Sequence, residues 1–161
     1  MELTLQELIT GIQNSRTHFF KHLKGLETDH WDWKPYAECK SIRETIIHLI
    51  CDDIAAVESL QTGKEPDYEA DMVKATELAS SDTDVLISQL AASHKELCET
   101  LRTLVNQKSL DDTICVWGHN AKIAIGIPYF SSEDFYHAGQ IAFIRMAIDP
   151  NWDYYTAVYG G

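Results

Sequence analysis

Two histidines and a glutamate are the side chains of this sequence best suited to share a metal ion. Glu133 and His137 stand four residues apart in Ser132-Glu133-Asp134-Phe135-Tyr136-His137-Ala138-Gly139-Gln140-Ile141. On a helix that spacing puts both on one face, with Cβ atoms about 5–6 Å apart. His48 lies in a separate amphipathic stretch, where it flanks the apolar stripe. Two imidazoles and one carboxylate can hold a divalent metal and leave coordination positions open for a reacting ligand. Gln140 falls on the same side as His137, where it can hold an imidazole N–H or a ligand-bound water. Asp52, one helical turn beyond His48, is placed to orient its ring.

Each of these residues also has a plainer reading. The helix dipole favours an acid in a first turn, and Ser131-x-x-Asp134 resembles a cap, which would make Glu133 a helix-start residue. A lone inward histidine is commonly a hydrogen-bonded core residue, and His94, on the stripe of its own helix, is read that way. His18, His22, His30 and His119 read as surface or loop residues, with His119 at a hairpin tip near the bundle mouth. Other chemistries lack their motifs: there is no Gly-x-Ser-x-Gly elbow, Gly-rich phosphate loop or His-Glu-x-x-His. A carboxylate-bridged di-iron bundle needs paired Glu-x-x-His, whereas Glu44/His48 and Glu133/His137 are each spaced one residue too far.

Four helices are predicted to position these groups. The first opens at the capping box Thr4-Leu5-Gln6-Glu7 and carries Leu5, Leu8, Ile9, Ile12, Phe19 and Leu23 at helical spacing up to Gly25. An aromatic loop, His30-Trp31-Asp32-Trp33-Lys34-Pro35-Tyr36, follows, its indoles large enough to plug one end of a bundle. A second capping box, Ser41-Ile42-Arg43-Glu44, starts the helix of His48, which Gly63 closes. Residues 64–81, polar and acidic with Pro66, read as a long connection. The third helix runs from about Asp82 to Gln107. The runs Thr113–Trp117 and Ala121–Ile125 then read as a hairpin with the three-residue turn Gly118-His119-Asn120. Pro128 ends that segment, and Ser131 or Ser132 caps a fourth helix that stops at Asp149-Pro150. A four-helix bundle with a short β-hairpin between the third and fourth helices is the economical all-α solution, in one domain over residues 1–161. The long connection leaves the helix order open.

Bulk properties narrow the setting. Thirteen basic residues against 25 acidic give a formal net charge of -12, a field that repels nucleic acid and anionic membrane and favours cations. Cys39, Cys51, Cys98 and Cys115 form no Cys-x-x-Cys pair, and Cys51 and Cys98 read as buried helix residues. Met1-Glu2-Leu3-Thr4 carries an acid where a signal peptide carries lysine or arginine, and no apolar run approaches membrane-spanning length. The expectation is a soluble, cytoplasmic protein. The apolar tail Trp152–Tyr159 is expected to pack on this bundle or on a partner subunit.

Taken together, the sequence resembles the DinB-like (DinB/YfiT) superfamily of metal-binding four-helix bundles. Two motifs carry the likeness: Trp33-Lys34-Pro35 with Ser41-Ile42-Arg43-Glu44-Thr45-Ile46-Ile47-His48-Leu49, and His137-Ala138-Gly139-Gln140-Ile141-Ala142-Phe143-Ile144-Arg145. The resemblance implies up-down-down-up helix order, a homodimer, and three metal-ligating positions that map onto His48, Glu133 and His137. Glutamate stands at 133 where the family commonly has histidine, and zinc, nickel or iron all accept a carboxylate there. It further implies a metal-dependent transferase or isomerase acting with a low-molecular-weight thiol. A bound ion would lower the thiol's pKa, with Trp31, Trp33 and Trp117 walling the pocket. The alternative is a non-catalytic bundle that binds a small molecule or acts through its dimer interface.

Overall fold

Helix α1 (Leu5–Lys21) begins where its capping box predicts: the Thr4 hydroxyl accepts from the Glu7 amide while the Glu7 carboxylate accepts from the Thr4 amide at 2.7 Å. The computed structural model describes residues 4–160, so the acidic Met1-Glu2-Leu3 lies outside the described residues. A 3₁₀ turn at Thr28–His30 leads through the aromatic loop to α2 (Ile42–Thr62), opened by the reciprocal Ser41/Glu44 box and closed at Gly63. Trp31 is buried in the core, as a bundle plug should be, whereas Trp33 is exposed.

Residues 64–81 are not simply a connection. They contain α3 (Tyr68–Leu78), whose first turn is capped by the Asp67 carboxylate accepting from the Glu69 and Ala70 amides. Only Leu78 of this helix is buried, so it has almost no apolar stripe to betray it in the sequence. Helix α4 (Thr83–Val105) then runs close to its expected bounds.

The hairpin is displaced from its predicted register. Strands β1 (Thr113–Val116) and β2 (His119–Lys122) pair Val116 with His119, which leaves a two-residue turn at Trp117-Gly118. Both turn residues have positive φ, 46° and 83°, the twist that matches antiparallel strands and that Gly118 adopts without strain. Helix α5 (Ile123–Ile148) starts immediately afterwards, with Pro128 inside it. The alternating Ile123, Ile125 and Ile127 mimic a strand. The Ile123 and Ala124 amides instead donate to the carbonyls of Asp112 and Leu110, which satisfies two orphan donors at the helix start. Gly126 lets the hairpin lie against α5, since a Cβ there would meet Val116 at 3.0 Å and Ile114 at 3.1 Å. Ser131 and Ser132 are therefore mid-helix residues and cap nothing.

The helices α1, α2, α4 and α5 enclose two apolar clusters. One gathers Ile9 and Ile12, Ala56 and Leu60, Leu97 and Leu101, and Ile123 and Ile127. The other gathers Phe19, Ile46 and Ile50, Leu86 and Leu90, and Ile141 and Ile144. Burial of these side chains, each worth about 1.5–3 kcal/mol, makes the scaffold that carries the polar groups between them. The tail forms α6 (Tyr154–Tyr159) on the chain's own bundle. Val158 is buried, Tyr154 meets His22 with ring centroids 5.7 Å apart, and the Arg145 guanidinium lies 4.4 Å over Trp152. His22, read as a surface residue, is buried as a result. No helix among the described residues is long and apolar enough to cross a membrane.

Candidate metal centre

His48 on α2 and Glu133 and His137 on α5 converge. One ligand atom from each lies within 4.8 Å of the other two. His137 Nε2 and Glu133 Oε2 are 3.5 Å apart, and His48 Nε2 and Glu133 Oε2 are 4.0 Å apart. The two imidazoles meet edge to face with centroids at 4.8 Å. Donors that share an ion at about 2.0–2.2 Å sit about 3.0–3.6 Å from one another, so only small rotations separate this arrangement from a chelating one.

Burial and hydrogen bonding give each group a different state. His137 Nδ1 and Gln140 Oε1 are 2.7 Å apart. The amide oxygen accepts, which places the ring proton on Nδ1 and leaves a lone pair on Nε2. That Nε2 is buried and has no hydrogen-bond partner, an uncommon state for a buried nitrogen unless a ligand completes it. Burial, followed by the Lys40 and His137 charges, lowers the His48 pKa to about 4, so its ring is neutral at pH 7. Burial likewise lowers that of His137. Both rings thus present the lone pairs that metal ligation requires. The Asp52 carboxylate lies 3.6 Å from His48 Nε2, too far for a hydrogen bond, and burial together with Glu133 and Asp53 raises its pKa to about 7.

Position along the helix also answers the plainer reading of Glu133. With α5 starting at Ile123, Glu133 sits in its third turn and gains nothing from the amino-terminal dipole. Glu44 is absent from the cluster, since its carboxylate caps Ser41 and pairs with Lys34 at 2.7 Å. That removes the di-iron arrangement.

A cavity of about 560 Å³ opens at the triad, walled by Tyr36, Lys40, Tyr136 and Gln140. A second, of about 690 Å³, lies between α2, α3 and residues 34–40, with Ile47, Met72 and Ala75 on its walls. His48, Cys39 and Lys40 border both. The tryptophans expected to wall the pocket do not reach it. Trp117 packs on Phe130 and donates Nε1–H to the Asp52 carbonyl at 3.1 Å. The Tyr136 ring lies 5.0 Å from that of His137 and closes one side.

Directly behind the triad stands a polar network that the sequence reading missed. Buried Arg16 on α1 donates through Nε to Asp134 at 2.6 Å and through Nη1 and Nη2 to Asp53 at 2.9 and 3.1 Å. Ser15 donates to Asp134 and Ser93 to Asp53, each at 2.8 Å. His94 reaches the Ile12 carbonyl through Nε2 and faces Asp53 at 3.7 Å through Nδ1. Burial opposes ionisation of Asp53, but His94 and Arg16 hold its pKa below the usual carboxylate value. Asp134, taken for a cap residue, is fully buried. A signal was present: the α1 stripe skips from Ile12 to Phe19, and Ser15 and Arg16 occupy the missing turn.

A family model described as the DinB superfamily matches residues 12–141. Among solved structures, the chain is similar to a mycothiol-dependent maleylpyruvate isomerase at 18% identity and a TM-score of 0.69, covering 86% of this chain and 61% of that one. A histidine-to-alanine variant of that enzyme aligns at 17% identity and a TM-score of 0.68, with the same coverage. The chain thus spans about three fifths of the length of these neighbours, and the likeness is one of fold. No curated protein matches.

Proposed function

The chain belongs to the DinB superfamily, and from that premise we propose that it is a metal-dependent transferase or isomerase acting with a low-molecular-weight thiol. The ligands are His48, Glu133 and His137. The observation that carries this reading is the buried, unpartnered Nε2 of His137, aimed at Glu133 beside a second neutral imidazole. A divalent ion held there, zinc, nickel or iron, would supply the positive charge that makes a coordinated thiol a thiolate near neutral pH. Gln140 fixes the His137 tautomer, and the Asp52 carboxyl stands beside His48. The two adjoining cavities are in the size range of small-molecule sites, and Ile47, Met72 and Ala75 give the larger one an apolar wall past His48. The mycothiol dependence of the solved neighbour supports a thiol as partner.

The up-down-down-up order belongs to the same reading. Each apolar cluster joins one half of α1 and α5 to the opposite half of α2 and α4, as that order requires. Four free cysteines accord with a reducing, cytoplasmic setting.

The test is a thiol-conjugation assay on protein stripped of metal and reloaded with zinc, nickel or iron(II) in turn. Thiol consumption that depends on metal and disappears in His137→Ala is the expected result. Metal-loaded protein that turns over no thiol with a panel of small electrophiles would leave only the non-catalytic binder.

A further inference from the structure

Two cavities of opposite character meet at His48. The smaller is polar, with Tyr36, Lys40, Tyr136 and Gln140 around the candidate ligands. The larger, of about 690 Å³, has the buried side chains of Ile47 and Cys51 on α2 as its floor. Its facing wall is α3, which contributes Tyr68, Met72 and Ala75. The Cys51 thiol donates to the Asp71 carbonyl at 3.6 Å and ties α3 across the cavity. Tyr68 and Met72 remain 50 and 71% exposed, although Leu78 anchors the same helix in the core. Apolar side chains left open beside a cavity of this size are what a bound apolar group would cover.

Charge narrows the class of that group. Glu38, Glu44, Asp52 and Asp71 border the larger cavity, against Lys34 and Lys40. Lys34 is paired with Glu44 at 2.7 Å, which leaves three carboxyl groups facing one ammonium. An anionic ligand is repelled by that excess, whereas an uncharged one is indifferent to it.

We propose that the larger cavity holds the uncharged apolar arm of the electrophile, with Met72 and Ala75 deciding which arms fit, while the thiol occupies the smaller cavity. Small soluble thiols carry polar groups, which suit Tyr36, Lys40 and Gln140 better than Ile47 and Met72. His48 borders both cavities, so the two reactants meet at the residue that would hold the ion. Naming the electrophile rests on the proposed function; the preference of the cavity for an uncharged apolar group does not.

Two dyes of one skeleton, uncharged phenylnaphthylamine and anionic anilinonaphthalene sulfonate, test this by fluorescence titration of the metal-free protein. Circular dichroism confirms the fold of each variant. Saturable binding of the uncharged dye is expected, with the sulfonate weaker by about tenfold or more. Met72→Glu charges the wall and Ala75→Leu fills the space, and each should weaken the uncharged dye by a similar factor. Val73→Glu, at a 61% exposed position of α3 outside the cavity, should leave its affinity unchanged. Asp71→Lys should narrow the gap between the two dyes. No saturable binding, or binding that Met72→Glu and Ala75→Leu both leave intact, overturns the site. Equal affinity for the two dyes overturns its selection against anions. Neither metal nor thiol enters this titration, so its failure is distinct from that of the thiol-conjugation assay. In that assay Met72→Glu should lower kcat/KM about tenfold for electrophiles with an aryl arm and spare those without one. Equal loss with both kinds overturns the assignment to the electrophile.

Discussion

Asp53 and Asp134 differ from Asp52 and Glu133 by one residue in sequence and by everything in their surroundings. The first pair point inward, where Arg16, Ser15, Ser93 and His94 engage them. The second pair point at cavities, beside the paired imidazoles of His48 and His137. A closed polar network holds a fold together, because Arg16 pairs with both buried carboxylates. An open one, with lone pairs facing a void, is arranged for something the chain does not itself supply. Adjacent residues on α2 and α5 thus feed two clusters of opposite character, and the closed one fixes the helices that aim the open one.

The contrast should be clearest when the closed network is cut. Arg16→Met leaves Asp53 and Asp134 buried without their cation and is expected to cost about 3–5 kcal/mol of stability, read from urea unfolding. Equal stability in that variant would mean the two clusters are not different in kind. An intermediate effect is expected at the open cluster. Gln140→Leu removes the acceptor for His137 Nδ1 and should weaken metal affinity about 10–100-fold while leaving the unfolding midpoint nearly unchanged. Loss of stability in step with affinity would make Gln140 a structural residue.

The smallest effect concerns pH. The His94 pKa is raised to about 9 despite burial, because Asp53 and Cys98 favour the charged ring. A raised histidine pKa stabilises fully below the unfolded value near 6.5 and loses that contribution as pH climbs to about 9. Unfolding free energy should therefore decline across this window, and His94→Gln should flatten the decline. An unchanged slope in the variant would show that His94 is neutral in the folded protein.

Capping and periodicity made much of this architecture legible. The boxes at Thr4 and Ser41 gave two helix starts to the residue, since side chains there satisfy amides in a way that sequence displays directly. The errors share one origin, which is that local pattern was outvoted by tertiary contact. Ile123, Ile125 and Ile127 alternate like a strand, yet carbonyls from Asp112 and Leu110 anchor them as a helix start. Helix α3 carries almost no apolar stripe and was invisible to periodicity. At the site, spacing and resemblance brought His48, Glu133 and His137 together, and the structure sets their ligand atoms within 4.8 Å. Tyr136 could not be placed, because its proximity to His137 depends on ring orientation across the helix surface. Arg16 was hidden because a cation on an apolar stripe looks like a flaw until its two carboxylates are seen.

Metal content is the most direct measure of the central claim. Wild-type protein and His137→Ala, each incubated with one equivalent of zinc and then dialysed, should differ completely by elemental analysis. About one zinc per chain is expected for the wild type and essentially none for a variant that remains folded. Stoichiometric zinc in folded His137→Ala, or a wild type that retains no zinc, nickel or iron under the same treatment, would contradict the account.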